Sequence, residues 1–351
     1  MGDINLNLNG AYVEITSKCN LNCPYCYNDS GLKTYELNCD DVFKIVDELY
    51  SKSIFAIAIS GGEPFLHSDI KKIIDYCIKK GVRPNIITNL TMLDKKQTID
   101  LLNKNILFQV TFDGYNEETH SFTRGKNIFK KNIDFIENAL LLNKIDNVSI
   151  RFNIHKLNYN YLDNFVDLMS KYNIKNISFS FVKKIGRGKS WNYVFDDKRD
   201  ILLINLVINK LKELSKKYPE MTLTYGKPEE SLGCVFYSDG CVDCVPRVDC
   251  NGKVYLCQLF DGNSNILGDI NHSSLQEIIV NNQTIEKLNA IRNRKINRNN
   301  DCLNCPFSDY CLGGCPAIIF QNNSEFESND GQCHMIKYFM KNKLILEVKN
   351  N

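Results

Sequence analysis

The sequence predicts an α/β protein in which a parallel sheet is followed by a cysteine-rich C-terminal region. Three observations carry this expectation. Six short β-rich runs are each followed by a helical stretch, this rhythm stops near residue 226, and the 15 cysteines are very unevenly placed. The strand candidates, residues 11–16, 55–60, 85–88, 107–112, 148–154 and 177–182, are dense in β-branched and aromatic side chains. The helical candidates that follow them are 40–51, 69–80, 94–103, 128–143, 160–172 and 197–217. In the second of these, Ile70, Ile73, Ile74 and Cys77 recur at helical spacing. Asp40, Ser68 and Asp94 have the short polar side chains that cap helix N-termini, and Gly81 suits a C-terminal cap.

Six such units imply parallel strands joined by right-handed crossovers. An open doubly wound sheet and a partial barrel both fit the pattern. Either one places chemistry in the loops at the C-terminal ends of the strands. Residues 19–26 follow the first strand there, and Gly61-Gly62-Glu63-Pro64 follows the second. Beyond residue 226, Gly, Asp, Asn and Cys dominate to about residue 270. A helix is expected over 274–291, a second cysteine-rich run covers 301–315, and a last helix is expected over 333–348. The division this suggests is 1–195 for the sheet domain, 196–232 for a bridging helix and strand, and 233–351 for the cysteine-rich domain.

Lys and Arg number 43 and Asp and Glu 41, a formal net charge of +2. So balanced a chain lacks the basic excess that draws nucleic acid or an anionic membrane surface. Lysine pairs such as Lys71-Lys72 and Lys79-Lys80 read as solvated helix faces. The polar opening MGDINLNLNG lacks the basic-then-apolar layout of a signal peptide, and Leu6 stands where a myristoylation signal wants Ser or Thr. No apolar run approaches the roughly 20 residues that span a bilayer. The expected location is the cytoplasm, where thiols stay reduced, and an odd number of cysteines also fits poorly with complete pairing.

Metal or cluster ligation is therefore the expected use of the thiols. Three lie in residues 19–26, five in 234–257 and five in 302–333, leaving only Cys39 and Cys77 outside these groups. Cys77, on an apolar helix face, is expected to be a buried free thiol. Cys19, Cys23 and Cys26 spell C-x3-C-x2-C. Thiolates are the standard ligands of iron–sulfur clusters, and three of them leave one iron open to a small molecule. The same logic keeps one position open in catalytic zinc sites, and a zinc site with a distant fourth ligand is the alternative. The five histidines form no metal-binding pair, and Trp191 is expected in the core.

The segment KCNLNCPYCYN resembles the cluster loop of the radical S-adenosylmethionine (SAM) superfamily, with Tyr25 at the aromatic position before the last cysteine. Gly61-Gly62-Glu63-Pro64 resembles the GGEP motif of that family. ITNLT (87–91), TFDG (111–114), His120 and Arg124 resemble the subgroup that carries a SPASM extension, with Leu90 for the usual glycine and Thr111 for the usual serine. The resemblance implies a partial (β/α)6 barrel and a C-terminal SPASM domain holding auxiliary clusters. It implies that Cys19, Cys23 and Cys26 hold a [4Fe–4S] cluster, that Tyr25 packs near the adenine, and that Gly61, Gly62, Glu63 and Pro64 hold the methionine amino group. Asn89 and Thr111 would face SAM, and Arg151 would reach its ribose or carboxylate. A structural ion pair is the competing reading for Arg151 and Arg124, and a simple turn the competing reading for Asp113-Gly114. The implied chemistry is one-electron cleavage of SAM to methionine and a 5′-deoxyadenosyl radical, which takes a hydrogen from the substrate in a site closed to water and oxygen.

Cys302, Cys305, Cys311, Cys315 and Cys333 spell C-x2-C-x5-C-x3-C-x17-C, for which a zinc ribbon competes on spacing alone. This run is similar to the SPASM core without gaps. By resemblance, Cys302, Cys305, Cys311 and Cys333 hold one auxiliary [4Fe–4S] cluster, and Cys315 crosses to a second with Cys241, Cys250 and Cys257. Cys234 and Cys244 are then left over as inert thiols, as replacements for those choices, or, with Asp249, as candidates for substrate-side roles. The resemblance implies modification of a peptide or protein. A thioether or carbon–carbon cross-link in a ribosomally made peptide is favoured over formylglycine formation in a sulfatase, because Asn251 rather than Asp follows Cys250, and over epimerisation. Implied partners are the peptide and a ferredoxin- or flavodoxin-type electron donor. Since the first strand is expected near residue 11, leader recognition would fall to a separate leader-peptide-binding protein or the SPASM surface. A non-enzymatic iron–sulfur electron carrier or zinc-stabilised module is the alternative of another class, and the pairing of the cysteine loop with GGEP speaks against it.

Overall fold

The computed structural model describes residues 4–196, 198–225, 240–293, 304–308, 314–323 and positions 333, 334, 336, 337 and 341. Its strands are β1 (Ile4–Leu8), β2 (Tyr12–Thr16), β3 (Ala56–Gly61), β4 (Arg83–Thr88), β5 (Leu107–Phe112), β6 (Val148–Ile154), β7 (Asn176–Phe181), β8 (Thr222–Tyr225), β9 (Gly240–Cys244), β10 (Arg247–Val248), β11 (Lys253–Tyr255) and β12 (Gly268–Asp269). The helices are α1 (Cys39–Ser51), α2 (Ile70–Lys80), α3 (Lys95–Leu102), α4 (Glu117–Arg124), α5 (Ile128–Leu141), α6 (Leu162–Lys171), α7 (Ile201–Lys217), α8 (Leu275–Val280) and α9 (Asn282–Asn293), followed by a helix at Pro316–Asn323.

Ten strands form one sheet in the order β12-β11-β10-β2-β3-β4-β5-β6-β7-β8, and β2 to β8 are parallel throughout. The order never reverses from β2 to β8. Right-handed crossovers that all run one way put every helix on the same face, which is the winding of a barrel; a doubly wound sheet reverses at a switch point. β2 pairs on its far side with β10 and not with β8, so the barrel is partial. The cysteine-rich region thus extends the barrel sheet through β10, β11 and β12.

The winding explains the side-chain pattern of the strands. On β5 and β6, Phe108, Val110, Phe112, Ile150 and Phe152 are buried beneath the helices, while Gln109, Thr111, Ser149, Arg151 and Asn153 are half-buried on the other, helix-free face. Phe152 packs on Phe165 of α6 and Phe179 of β7 at ring distances of 4.5 and 5.7 Å. Each such ring contributes roughly 1.5–3 kcal/mol by leaving water.

Several expectations need correcting. α1 is capped by Asn38, which accepts from the Asp40 amide, so Asp40 lies inside the helix. α2 follows Asp69, because the amide and hydroxyl of Ser68 are both committed to Glu36. Asp94 and Gly81 cap as expected, the first through a reciprocal pair with Gln97 and the second at φ 81°. The polar opening is a strand: β1 buries Leu6 and Leu8 and pairs in parallel with β9. α4 is a further helix, started by an Asn116 capping box. The helix expected over 274–291 is two, broken at Asn281, whose ψ of 154° is extended. Cys333, His334, Ile336, Lys337 and Lys341 are helical, and the rest of the helix expected over 333–348 lies outside the described residues. Among the described residues no helix is long and apolar enough to cross a membrane.

Candidate active site

The loop carrying Cys19, Cys23 and Cys26 leaves the end of β2 and is clasped by backbone from the end of β3. The Gly62 amide donates to Thr16 O at 2.7 Å, and the Glu63 amide donates to Lys18 O at 2.8 Å. A Cβ on Gly61 would stand 2.2 Å from Thr16 O, and one on Gly62 would stand 2.0 Å from Lys18 O. Only glycine permits this approach. Gly62→Ala is therefore expected to cost at least about 2 kcal/mol of overpacking against backbone and to lower iron uptake on reconstitution, measured by iron per chain alongside circular dichroism.

Glu63 is fully buried, and its carboxylate accepts from the Thr88 hydroxyl (2.7 Å), the Asn89 amide (2.8 Å) and the Phe65 amide (3.2 Å). Burial pushes its carboxyl up to about 7 despite these bonds. It locks the ends of β3 and β4 together. The Asn89 side chain donates to Asn20 at 3.1 Å and accepts from the Thr91 amide, which fastens the third motif to the cysteine loop. Leu90 takes a left-handed φ of 62°, which accounts for the glycine usual there; the side chain offsets the strain by being 3% exposed.

Tyr25 is buried within a network centred on Asp113. The Tyr25 hydroxyl bonds the Asp113 carboxylate, which also accepts from Arg124 Nε (2.8 Å) and the Thr123 hydroxyl (2.7 Å) on one oxygen and from Asn153 (3.3 Å) on the other. Arg124 Nη2 donates to the Tyr25 hydroxyl at 2.9 Å. Burial alone would raise the Asp113 pKa, but Arg124 and the neighbouring hydrogen bonds win and hold it well below the usual carboxylate range. Arg124 is thus an ion-pair partner, as its competing reading had it, and Asp113 is the hub of a buried network rather than a simple turn residue. The Tyr25 ring packs on Trp191 at 5.3 Å and His155 at 6.0 Å, which places Trp191 beside the loop.

Thr111, Arg151 and Ser178 stand side by side on β5, β6 and β7. Arg151 donates from Nη1 to the Ser178 hydroxyl at 2.7 Å, and among the described residues it has no carboxylate within ion-pair distance. Its structural ion-pair reading is not realised there. Two residues that sequence reasoning missed complete the loop's support. Arg187 donates from Nε to Cys23 O (2.8 Å), from Nη1 to Ser30 O (2.9 Å) and from its amide to Cys26 O (3.0 Å). A Cβ on the preceding Gly186 would stand 2.4 Å from Cys26 O. The Gly-Arg-Gly triplet at 186–188 was the available signal.

The donor set suits an iron–sulfur cluster. The three cysteines are unbridged thiols on one loop, and the carbonyls of Cys23 and Cys26 are occupied by Arg187. Burial pushes the Cys19 thiol up to about 11 and raises that of Cys23, so binding must displace their protons. Among the described residues no three His, Cys, Asp or Glu side chains converge on a single ion, whereas in a cubane each thiolate takes a different iron.

In the cysteine-rich region, Cys250 sits in the β10–β11 turn, hydrogen-bonded to Ser17 of the cysteine loop. Cys257 follows β11, Cys241 pairs with Asn5 in the β1–β9 ladder, and Cys244 is 1% exposed in the core. Asp249 holds its turn together by accepting from the amides of Asn251 (2.8 Å) and Lys253 (2.9 Å). Arg247 pairs with Glu14 of β2 at 3.4 Å, with both side chains buried, and fastens this region to the barrel. Cys305, Cys315 and Cys333 are half-buried, while Cys234, Cys302 and Cys311 lie outside the described residues.

A sequence profile of the radical SAM superfamily matches residues 13–169, and that of the SPASM iron–sulfur cluster-binding domain matches residues 241–306. The chain belongs to the radical SAM superfamily. It is a radical SAM enzyme with a SPASM domain, its cofactors are a [4Fe–4S] cluster with SAM, and its SPASM domain binds auxiliary iron–sulfur clusters. The mycofactocin maturase MftC of Mycolicibacterium smegmatis is 26% identical over 329 residues, covering 91% of this chain and 81% of that protein. The antilisterial bacteriocin subtilosin biosynthesis protein AlbA of Bacillus subtilis is 26% identical over 328 residues, covering 91% and 69%. Among solved structures, native anSMEcpe with bound AdoMet and Kp18Cys peptide shares the fold at a TM-score of 0.74 and 18% identity, covering 99% of each chain.

Proposed function

We propose that this radical SAM enzyme is a peptide maturase that joins two side chains of a ribosomally made peptide through a thioether or carbon–carbon bond. The observation that carries the reading is the pairing of a barrel holding the cysteine loop with a SPASM region, aligned over nine-tenths of the chain with MftC and AlbA. When bound, the cluster and SAM supply the 5′-deoxyadenosyl radical. The chain's own residues do the rest. Cys19, Cys23 and Cys26 hold the cluster, with Arg187 and the Gly61-Gly62-Glu63-Pro64 turn keeping the loop in shape. Tyr25, Asn89, Thr111 and Arg151 border the SAM site, and the polar inner face of β5 to β7 takes the peptide.

Cys302, Cys305, Cys311 and Cys333 hold one auxiliary cluster, and Cys241, Cys250, Cys257 and Cys315 the second. Of the two thiols left over, core burial suits Cys244 to an inert role, and Cys234 stays a substrate-side candidate with Asp249. A ferredoxin- or flavodoxin-type protein delivers the electron, a separate protein or the SPASM surface receives the leader peptide, and the cytoplasm keeps the thiols reduced.

The test is anaerobic reconstitution followed by incubation with SAM, dithionite and a candidate precursor peptide sought among the short reading frames that neighbour the gene. The expected product has lost two hydrogens and carries one new cross-link by tandem mass spectrometry. A formylglycine, or an unchanged mass with an inverted residue, would overturn the cross-linking reading. Cys302→Ala and Cys333→Ala are expected to keep some 5′-deoxyadenosine formation while losing product; full product from either variant would show that its cluster is dispensable.

A further inference from the structure

The largest ring cluster of the barrel core is built of phenylalanine, with His120 at its edge. Phe112 meets Phe165 at 5.7 Å and Phe129 at 5.8 Å, and Phe152 meets Phe165 and Phe179. Such rings fill volume and are hard to oxidise. The rings that leave the cysteine loop are of another kind. Tyr25, the neighbour of Cys26, lies 5.3 Å from Trp191 and 6.0 Å from His155. Trp191 lies 4.9 Å from His155 and 5.6 Å from Tyr193. Tyr25 and His155 are buried, Trp191 is half-buried and Tyr193 is 44% exposed. A file of oxidisable side chains thus runs from the cluster loop to water, and it holds the chain's one tryptophan.

This file stands apart from the main core. Tyr25 packs with Val182 and Val194 in a separate small cluster, and Trp191 rests against it. Backbone bonds hold the outer members in place: Tyr193 O accepts from the Lys156 amide at 2.9 Å, and the Trp191 amide donates to Gly188 O at 3.4 Å. His155 lies beside both inner rings, and its buried Nε2 has no hydrogen-bond partner among the described residues. An imidazole in that position can pass a proton between the phenol and the indole. The two ends of the file differ in solvation. An oxidised phenol sheds its proton, and burial leaves a displaced charge unsolvated. Tyr193 faces water, which takes the proton up, so an oxidising equivalent comes to rest at the exposed end.

We propose that Tyr25, Trp191 and Tyr193 form a relay that carries an oxidising equivalent from the SAM site to the protein surface when no peptide is in place. The relay does not depend on which bond the enzyme makes; it rests on SAM being cleaved at the cysteine loop with Tyr25 at its border. Tyr25 gives the hydrogen atom of its hydroxyl to the 5′-deoxyadenosyl radical, which becomes 5′-deoxyadenosine. Trp191 then returns one electron and one proton to Tyr25, and Tyr193 does the same for Trp191. Tyr193 is left as a phenoxyl radical at the surface, where a small thiol restores it by giving up a hydrogen atom. The cysteine loop is thereby spared the attack of a radical that has found no substrate.

The first test needs no cluster. In the full-length apo chain a laser flash photoionises Trp191, the single indole. The indolyl absorption is expected to decay as phenoxyl absorption grows, at a rate independent of protein concentration. In Tyr193→Phe, which keeps the ring and loses the hydroxyl, that phase is expected to be lost. An unchanged phase in this variant, or no phenoxyl in wild type, would overturn the relay while leaving the enzyme reading intact. The second test uses the reconstituted enzyme with SAM, dithionite and a small thiol in deuterium oxide, without peptide. The Tyr25 hydroxyl exchanges with solvent, so 5′-deoxyadenosine is expected to carry deuterium over repeated turnovers, with the cysteine loop unmodified by tandem mass spectrometry. In Trp191→Phe, which keeps a ring against Tyr25, labelled product is expected to stop after the first turnover and deoxyadenosyl adducts to accumulate on the loop. Unlabelled 5′-deoxyadenosine from wild type, or equal label and equal damage in wild type and variants, would overturn the relay. A wild-type chain that cannot cleave SAM would reject the cluster reading, and the relay with it for want of an oxidant.

Discussion

Replacing Cys19, Cys23 or Cys26 with alanine is expected to abolish SAM cleavage in the reconstituted enzyme, to below about one part in a thousand of the wild-type rate. The size of the effect follows from how the loop is built. Four main-chain carbonyls at and beside it are already committed: Thr16 O and Lys18 O to the Gly62 and Glu63 amides, Cys23 O and Cys26 O to Arg187. Removing one of three thiolate ligands removes the site and not a fraction of it. A transition-state loss of about 4 kcal/mol is already a thousandfold. The measurements are iron per chain, the absorbance of the reduced and oxidised cluster, and 5′-deoxyadenosine by chromatography. The fold should survive, because the loop is held by backbone bonds that do not involve sulfur. Retained cleavage in any one variant would mean that its cysteine is not a cluster ligand.

The parts of this site legible in the sequence were those encoded within a few residues of each other. C-x3-C-x2-C and GGEP each occupy one turn, and their positions after successive strands followed from the βα rhythm. The parts missed depend on contacts distant in the chain. Arg187 holds the carbonyl of a residue 164 positions earlier, and nothing in its neighbourhood but a Gly-Arg-Gly triplet marks it. β1 pairs with a strand 236 positions away, and its alternation of Asn with Ile and Leu was outweighed by its polar average. The choice between a doubly wound sheet and a barrel also needed strand order, which periodicity does not encode. Asp113 was legible as a motif residue but not as a hub, since its partners come from the cysteine loop, α4 and β6.

Asp113→Ala is expected to destabilise the protein by about 3–5 kcal/mol, the cost of leaving a buried cation without its counterion. The Arg124 side chain is only 11% exposed and that of Asp113 is fully buried. Removing the carboxylate also strips an acceptor from the Tyr25 hydroxyl, the Thr123 hydroxyl and the Asn153 amide, and Tyr25 directly precedes a proposed cluster ligand. The chain's one tryptophan, Trp191, packs on the Tyr25 ring, so its fluorescence reports on this region during urea unfolding. Asp113→Asn separates charge from shape: it keeps the volume and still leaves Arg124 uncompensated. The folded-state pKa of Asp113 is depressed, so the stability it contributes is present above its unfolded value of about 4 and is lost as pH falls below that. The gap between wild type and Asp113→Asn should accordingly be widest near neutral pH and shrink once the medium is acid enough to protonate Asp113. A gap below about 1 kcal/mol at pH 7, or one that widens on acidification, would show that the ion pair does not hold Tyr25 and the loop in place. Double substitution with Arg124→Met should recover part of the loss, because it removes the orphaned charge while keeping an apolar stem against the Tyr25 ring.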